Sequence, residues 1–216
     1  MEIISVCPLR AAPFVWEPRP DTWVLTVIVK ATYALRPGEA LLAAEQEPLY
    51  AEDEHWNRDP GHSVRAPADL FPVKPNAEIM LSGHAYAEGG RPTRSLIARI
   101  AVGSVDKKIE IFADRTVSTD NIVHEGAALT RFPIVYERTA GGAGTTNPVG
   151  MAEVRDASGL RVLPNIVVAP AGPPTFEGHF EPACFGPIAT DWPSRKEKLG
   201  SHQGLASGSL RGQVAG

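Results

Sequence analysis

The 216-residue sequence contains only two cysteines, Cys7 and Cys184, far apart and without a CxxC pair. A disulfide framework or a thiolate zinc knuckle needs more, so two buried free thiols in a reducing cytoplasm are expected. No apolar run approaches the ~20 residues of a membrane-spanning helix. Met1-Glu2-Ile3-Ile4 has neither the basic nor the apolar region of a signal peptide. A soluble cytoplasmic protein with no membrane insertion is the expectation. A basic excess is missing too: 21 Lys and Arg stand against 25 Asp and Glu, for a net charge of −4. Nucleic acid would call for a clustered basic face, so no nucleic-acid partner is expected.

Metal and catalytic patterns are equally scarce. The six histidines form no HxH, HExxH or Cys/His pair at ligand spacing. His55 and His62, beside Glu52, Asp53, Glu54 and Asp59, read as a solvated acidic loop. Gly141-Gly142-Ala143-Gly144-Thr145-Thr146 has the composition of a phosphate cradle but lacks both GK[ST] and a GxGxxG in βαβ context. Ser82-Gly83-His84 is not a nucleophile elbow, and Cys184 with His179 matches no known dyad spacing. Glu137 and Asp69 form a carboxylate pair only if the fold brings them together. The expectation is a protein that is not an enzyme, with no catalytic residue, no cofactor and no metal.

Long helical periodicity and internal repeats are missing as well, while 20 Pro and 20 Gly point to many turns. The strongest positive signal is a hairpin. Ser95 to Val102 and Val105 to Ala113 are extended runs split by Gly103-Ser104, a pair suited to a type II′ turn. A two-residue loop sets Val102 against Val105, Ala98 against Ile109 and Leu96 against Ile111. The opposite face pairs Ile97 with Glu110 and puts Arg99 diagonal to Glu110. The apolar face is interrupted only by Lys107. Thr22 to Leu35 is the clearest single strand, with Trp23, Leu25, Val27, Val29, Ala31, Tyr33 and Leu35 on one face that is expected to be buried.

Other segments read more weakly. Glu2 to Val6 suits a short edge strand, and Arg10 to Pro20, with Pro13, Pro18 and Pro20, reads as a loop. Pro37-Gly38 suits a turn, followed by a return strand within Glu39 to Gln46, though its composition also favours helix. Glu47 to Ala66 reads as a long surface loop and Ala77 to Tyr86 as a strand. Gly89-Gly90-Arg91-Pro92 reads as a turn, Asp114 to Asn121 as a polar connection and Ala140 to Val149 as a Gly-rich loop. Thr130 to Arg138 is an edge strand, since Pro133 cannot donate to a ladder, and Leu163 to Val168 is a further strand. The fold class is all-β: two packed antiparallel sheets or a curved partial barrel with long loops and little helix. One β-rich domain over residues 1–199 and an unstructured Gly/Ser-rich tail over 200–216 are expected.

A series of short motifs runs through this pattern. Asp69-Leu70-x-Pro72-x-Lys74-Pro75 precedes Gly83-His84-Ala85-Tyr86 and Gly89-Gly90-Arg91-Pro92. Then come Tyr136-Glu137-Arg138 with Gly141-Gly142, Asn147-Pro148-Val149-Gly150, Leu163-Pro164-Asn165, Phe185-Gly186-Pro187-Ile188, Trp192 and Arg195. In this order they resemble the Domain of Unknown Function 2169 family, over roughly Thr22 to Gly200. That resemblance implies a non-enzymatic adaptor or chaperone of type VI secretion gene clusters. Its partners would be an effector protein and the secretion spike proteins. The resemblance also implies that the chain is cut short after Gly200, because family members continue with a Gly-Thr-Tyr-Asp motif.

The motif residues themselves read as structural. Lys74, Glu137 and Arg138 lie where an ionised group is partly buried, and are expected to pair with one another or with Asp69 and Asp114. His84, Asn147 and Asn165 read as satisfied core and turn polars. The alternatives are a hydrolase with an unrecognised site, or a carbohydrate-binding β-sandwich presenting exposed Trp16, Trp56 or Trp192.

Overall fold

The computed structural model describes residues 6–71 and 77–195. Lys74, Pro75, residues 200–216 and all but the last residue of the Glu2 to Val6 run lie outside them. The chain divides into two compact units, one built from residues 6–54, 67–71 and 77 and the other from 55–66 and 78–195. Both are β-structured. The registered strand pairs are antiparallel, and the strands form several small sheets with no closed barrel among the described residues.

The first unit is two hairpins in series. β1 (Arg10–Arg19) pairs with β2 (Thr22–Lys30), and β3 (Tyr33–Arg36) pairs with β4 (Glu39–Leu42). The proline-broken loop expected over Arg10 to Pro20 is thus a strand. A proline is tolerated where its missing N–H faces an open edge, and β1 has β2 as its single partner among the described strands. Pro18 falls in the register shift between Trp16 and Arg19, and Asp21 turns the chain at φ 63° with its N–H capped by Glu17 Oε1 at 2.7 Å. The Pro37-Gly38 turn is present, with Gly38 at φ 82°, and the segment after it is the expected return strand rather than helix.

The long strand expected from Thr22 to Leu35 is interrupted at Ala31-Thr32. There Gln46, itself buried, inserts its side-chain amide: Oε1 accepts the Thr32 N–H at 2.8 Å, and Nε2 donates to the Thr32 and Ala43 carbonyls at 3.1 and 2.7 Å. An amide side chain carries one acceptor and two donors, so it substitutes for a missing strand neighbour. The expected burial is also reversed. The face carrying Phe14 and Trp16 is buried, whereas Trp23 is 65% exposed and Leu25, Val27 and Val29 are exposed with it. Phe14 and Trp16 pair with Thr26 and Val24, on the face opposite Trp23. Trp16 Nε1–H donates to Thr26 Oγ1 at 3.1 Å, giving the buried indole its partner.

β5 (Glu54–His55), a 3₁₀ turn at Trp56–Arg58 and β6 (Val64–Ala66) follow at the start of the second unit, so the end of the stretch expected as loop is a small hairpin. β7 (Gly83–Tyr86) is shorter than the expected Ala77 to Tyr86 strand. β8 (Ser95–Val102) and β9 (Val105–Phe112) form the expected hairpin in the expected register, turning at Gly103 with φ 58°. Ile109 and Ile111 are fully buried, and Leu96 and Ala98 pack beside them. On the other face Arg99 takes Asp106, not Glu110, in a two-pronged pair at 2.8 and 3.0 Å. Lys107, the polar break in the apolar face, donates from Nζ to the Cys184 carbonyl at 2.7 Å.

The expected polar connection after Asp114 is instead β10 (Arg115–Val117), flanked by β11 (Val123–Glu125) and later β13 (Arg161–Val162). β12 (Arg131–Ile134) pairs with β7, and β14 (Ile166–Val168) adds to β9. Pro133 sits on β12 opposite His84, in a sheet of two strands where an edge position is available. The core joins Ile109 and Ile111 to Phe132, Ile134, Ile166 and Trp192. Ile109→Asp places an unpaired carboxylate there and is expected to cost about 4 kcal/mol or more. Denaturant unfolding should show the second unit unfolded or nearly so, and an unchanged midpoint would refute its burial.

Candidate functional site

One group of motif residues of the second unit gathers around one 3₁₀ turn, Tyr136–Arg138, which follows β12. Three consecutive side chains leave it in different directions. Tyr136 is buried edge-on against Trp192, with ring centroids 5.4 Å apart, and its ring edge also lies 3.8 Å from where a Cβ on Gly186 would be. Burial pushes the Tyr136 phenol well above its ordinary pKa. Glu137 reaches the β5–β6 hairpin. Its Oε1 accepts the Ser63 N–H and its Oε2 the Ser63 hydroxyl, both at 2.7 Å, while His62 Nδ1 lies 3.3 Å from Oε1. Arg138 donates from Nη2 to Asp114 Oδ1 at 2.9 Å, an oxygen that also accepts from Asn165 Nδ2 at 2.9 Å. Asn165 donates its own N–H to the Arg138 carbonyl at 2.9 Å, closing the ring.

The Gly-rich loop after this turn is tied by Asn147. The buried Nδ2 donates to the Tyr136 carbonyl at 3.0 Å, Thr139 Oγ1 at 2.8 Å and the Ala140 carbonyl at 3.0 Å. Acceptors on that side fix which end of the amide faces them. The loop backbone comes so close that side chains are excluded. A Cβ on Gly141 would stand 2.2 Å from the Asn147 carbonyl oxygen, and one on Gly150 would stand 2.8 Å from the Ala140 carbonyl oxygen. Gly142, at φ 120°, adopts a conformation that favours glycine and donates to the Asn147 carbonyl at 2.9 Å. Pro148 follows Asn147 within the loop. The phosphate-cradle resemblance of this segment is compositional: Gly141 serves close backbone approach, and Gly142 and Gly144 hold positive φ.

The remaining motif residues are dispersed. His84 lies on β7, where Arg131 Nη2 sits 3.2 Å from its Nδ1. Burial, and then the Arg131 charge, lower its pKa below the ordinary value. Gly83 opens the same strand. Pro164 is buried before β14, and Pro187 is buried beyond Gly186. Arg195 is bound to Glu78, with Nη2 donating to Oε2 at 3.1 Å. Asp69 belongs to the first unit: its Oδ2 accepts from Lys30 Nζ and from the Tyr50 N–H, each at 2.8 Å, and the ammonium also stands 4.2 Å over the Tyr50 ring. Of the pairings expected for Glu137, Arg138 and Asp69, the structure makes Arg138–Asp114. It gives Asp69 to Lys30 and Glu137 to Ser63 and His62, pairings that nothing in the sequence signalled.

His55 spends Nδ1 on the His62 carbonyl at 2.7 Å, inside the small hairpin. Cys184 is buried, as expected, but Cys7 is exposed. Burial raises the Cys184 thiol, which keeps it protonated at neutral pH. It lines a cleft of about 220 Å³ with Tyr136 and Lys107. Trp16 and Trp192 are buried, so neither presents a ring to a sugar, while Trp23, expected inside, is outside.

The architecture is that of a β-structured protein whose recurring polar and glycine residues brace a turn and the loop after it. The profile of the family described as "Uncharacterized protein conserved in bacteria (DUF2169)" matches residues 21–207, and the chain belongs to that family. No curated protein and no solved structure matches the chain.

Asn147→Ala should lower stability by about 2–4 kcal/mol, since it strips the donor from buried acceptors. Asn147→Asp, of the same shape, should be worse at neutral pH and recover partly in acid, as read by denaturant titration. His84 should titrate below 6.5 by NMR. Because its folded pKa is the lower one, its contribution to stability is complete above pH ~6.5 and is lost as pH falls through the folded value. Arg131→Gln should raise that pKa part of the way.

Proposed function

We propose that the chain is a non-enzymatic adaptor that binds a type VI secretion effector and helps load it on the secretion spike, acting in the bacterial cytoplasm. The observation that carries this reading is the exposed apolar ribbon of the first unit. Trp23, Leu25, Val27 and Val29 present one continuous face along β2, and Val15 lies opposite Leu25 on β1. Contiguous apolar surface on a soluble domain costs solvation and is kept where a partner covers it.

The strand beneath that face is suited to recognition by strand addition. β2 pairs with β1 alone among the described strands, and β1 carries the prolines while β2 carries none. An extended effector segment would hydrogen-bond to the outer edge of β2 and lay alternate side chains over the apolar face. The ionisable motif residues Glu137, Arg138 and Asp69 meanwhile hold the chain's own backbone and side chains, a bracing role. Among the described residues no helix is long and apolar enough to cross a membrane.

The test is effector co-purification read beside thermal stability. Leu25→Asp with Val27→Asp should abolish effector binding and shift the melting temperature by less than about 2 °C, because the positions are exposed. Glu137→Ala should lose about 2 kcal/mol by unpairing Ser63, and should lose function only in that proportion. A folded, effector-binding Glu137→Ala or His84→Ala protein that fails to support secretion would overturn the adaptor reading in favour of catalysis.

A further inference from the structure

Arg115, on β10, is a buried cation with no counter-ion in contact among the described residues. The residue is 8% exposed, and its guanidinium carbon stands 3.3 Å over the Phe112 ring centroid. Nη2 makes one long hydrogen bond, 3.5 Å to the Pro164 carbonyl, and Nε is buried with no partner among the described residues. Glu110 and Glu125 act on it only through their field, and Glu110 Oε2 is engaged by the Ala171 N–H at 3.1 Å. Desolvation lowers its pKa to about 10, so it is still charged at neutral pH. Arg161 offers the contrast. It stands opposite Val117 on the same sheet, and its guanidinium donates to the Thr175 and Phe176 carbonyls and faces Glu153 at 3.3 Å.

A buried charge left unpaired is costly, whereas a fixed guanidinium fork is the natural receptor for a planar oxyanion. A cavity of about 330 Å³ opens against Arg115. Val167, Ala171, Pro173 and Phe180 give it apolar walls, with Thr175 and His179 as further polar lining. Its size falls at the small end of ligand sites. Every one of these residues belongs to the second unit.

We propose that this cavity binds a carboxylate carried on a short apolar body, with Arg115 as its counter-ion. The apolar walls select for the body, and the planar fork selects for the carboxylate. Glu181 also lines the cavity, so a monoanion is accepted more readily than a doubly charged phosphate. A free short-chain acid and the terminal carboxylate of a peptide share this chemistry. Carboxylate binding here is independent of the adaptor role, and either can fail without the other.

The test titrates the full chain with hexanoate while following the Arg115 Nε–H resonance and the melting temperature. Hexanoate should move that resonance saturably and raise the melting temperature. Hexanamide, with the same body and no charge, and inorganic phosphate should do neither. A tripeptide ending in leucine, with its C-terminus free or amidated, separates the two sources. Saturable binding of the free form alone assigns the site to a chain end, and binding of hexanoate alone assigns it to a small acid. Arg115→Met, which keeps the volume and removes the charge, should weaken binding about tenfold to a hundredfold. Should that variant not fold, the wild-type Nε–H titration decides by itself. No saturable shift with either hexanoate or the free-acid peptide at ~10 mM, or equal binding of hexanamide or phosphate, would overturn the assignment. Undiminished binding by a folded Arg115→Met protein would do the same.

Discussion

The second unit depends on the carboxylate of Glu137. It is partly buried at the end of an apolar strand, and its two oxygens answer both the backbone and the hydroxyl of Ser63, some seventy residues earlier in the chain. That pairing holds the residue just before β6, next to Val64, which enters the core. The turn that presents Glu137 also sends Tyr136 into the core and Arg138 out to Asp114, so one helical turn of three residues sets three packing relationships at once. A strand continuing through Arg138 would have placed Tyr136 and Arg138 on the same face. The 3₁₀ turn instead buries the phenol and frees the guanidinium for its carboxylate.

Sequence reading succeeded where local chemistry determines the outcome. The β8–β9 register follows from a two-residue loop and strict alternation, and neither needs knowledge of distant residues. It failed where the deciding partner is remote. Along β2 both faces carry apolar residues, and period two alone does not say which is covered. The decision lay with Phe14 and Trp16 on a neighbour that three prolines disguised as loop. The break at Thr32 was equally hidden, because it is made by the side chain of Gln46 fourteen positions on. Asp114 to Asn121 looked polar and so read as connection. Its Arg115 and Val117 are in fact buried, and a buried arginine is invisible to a hydropathy pattern.

The candidate site shows the same division. Its members Tyr136, Glu137, Arg138, Asn147 and Asn165 were legible as motifs, and their bracing character followed from the cost of burying charge and amide groups. Their partners were not legible. Ser63 lies in an acidic stretch with no periodicity, and Asp114 had equal claims on several cations. Arg99 had two acids within reach across the hairpin and took Asp106, beside the turn, in a two-pronged geometry, while Glu110 accepts the Ala171 N–H.

The loop around Asn147 has a consequence for how such a protein can drift. The glycines at 141 and 150 are excluded from growing by main-chain atoms, the carbonyl oxygens of Asn147 and Ala140, and not only by the asparagine side chain. If the asparagine were replaced by something smaller, neither glycine would have a free direction in which to fill the hole. Damage at that position is therefore not repairable from those two neighbours, and compensation has to come from the other side chains that line the loop, Thr139 and Thr145 among them.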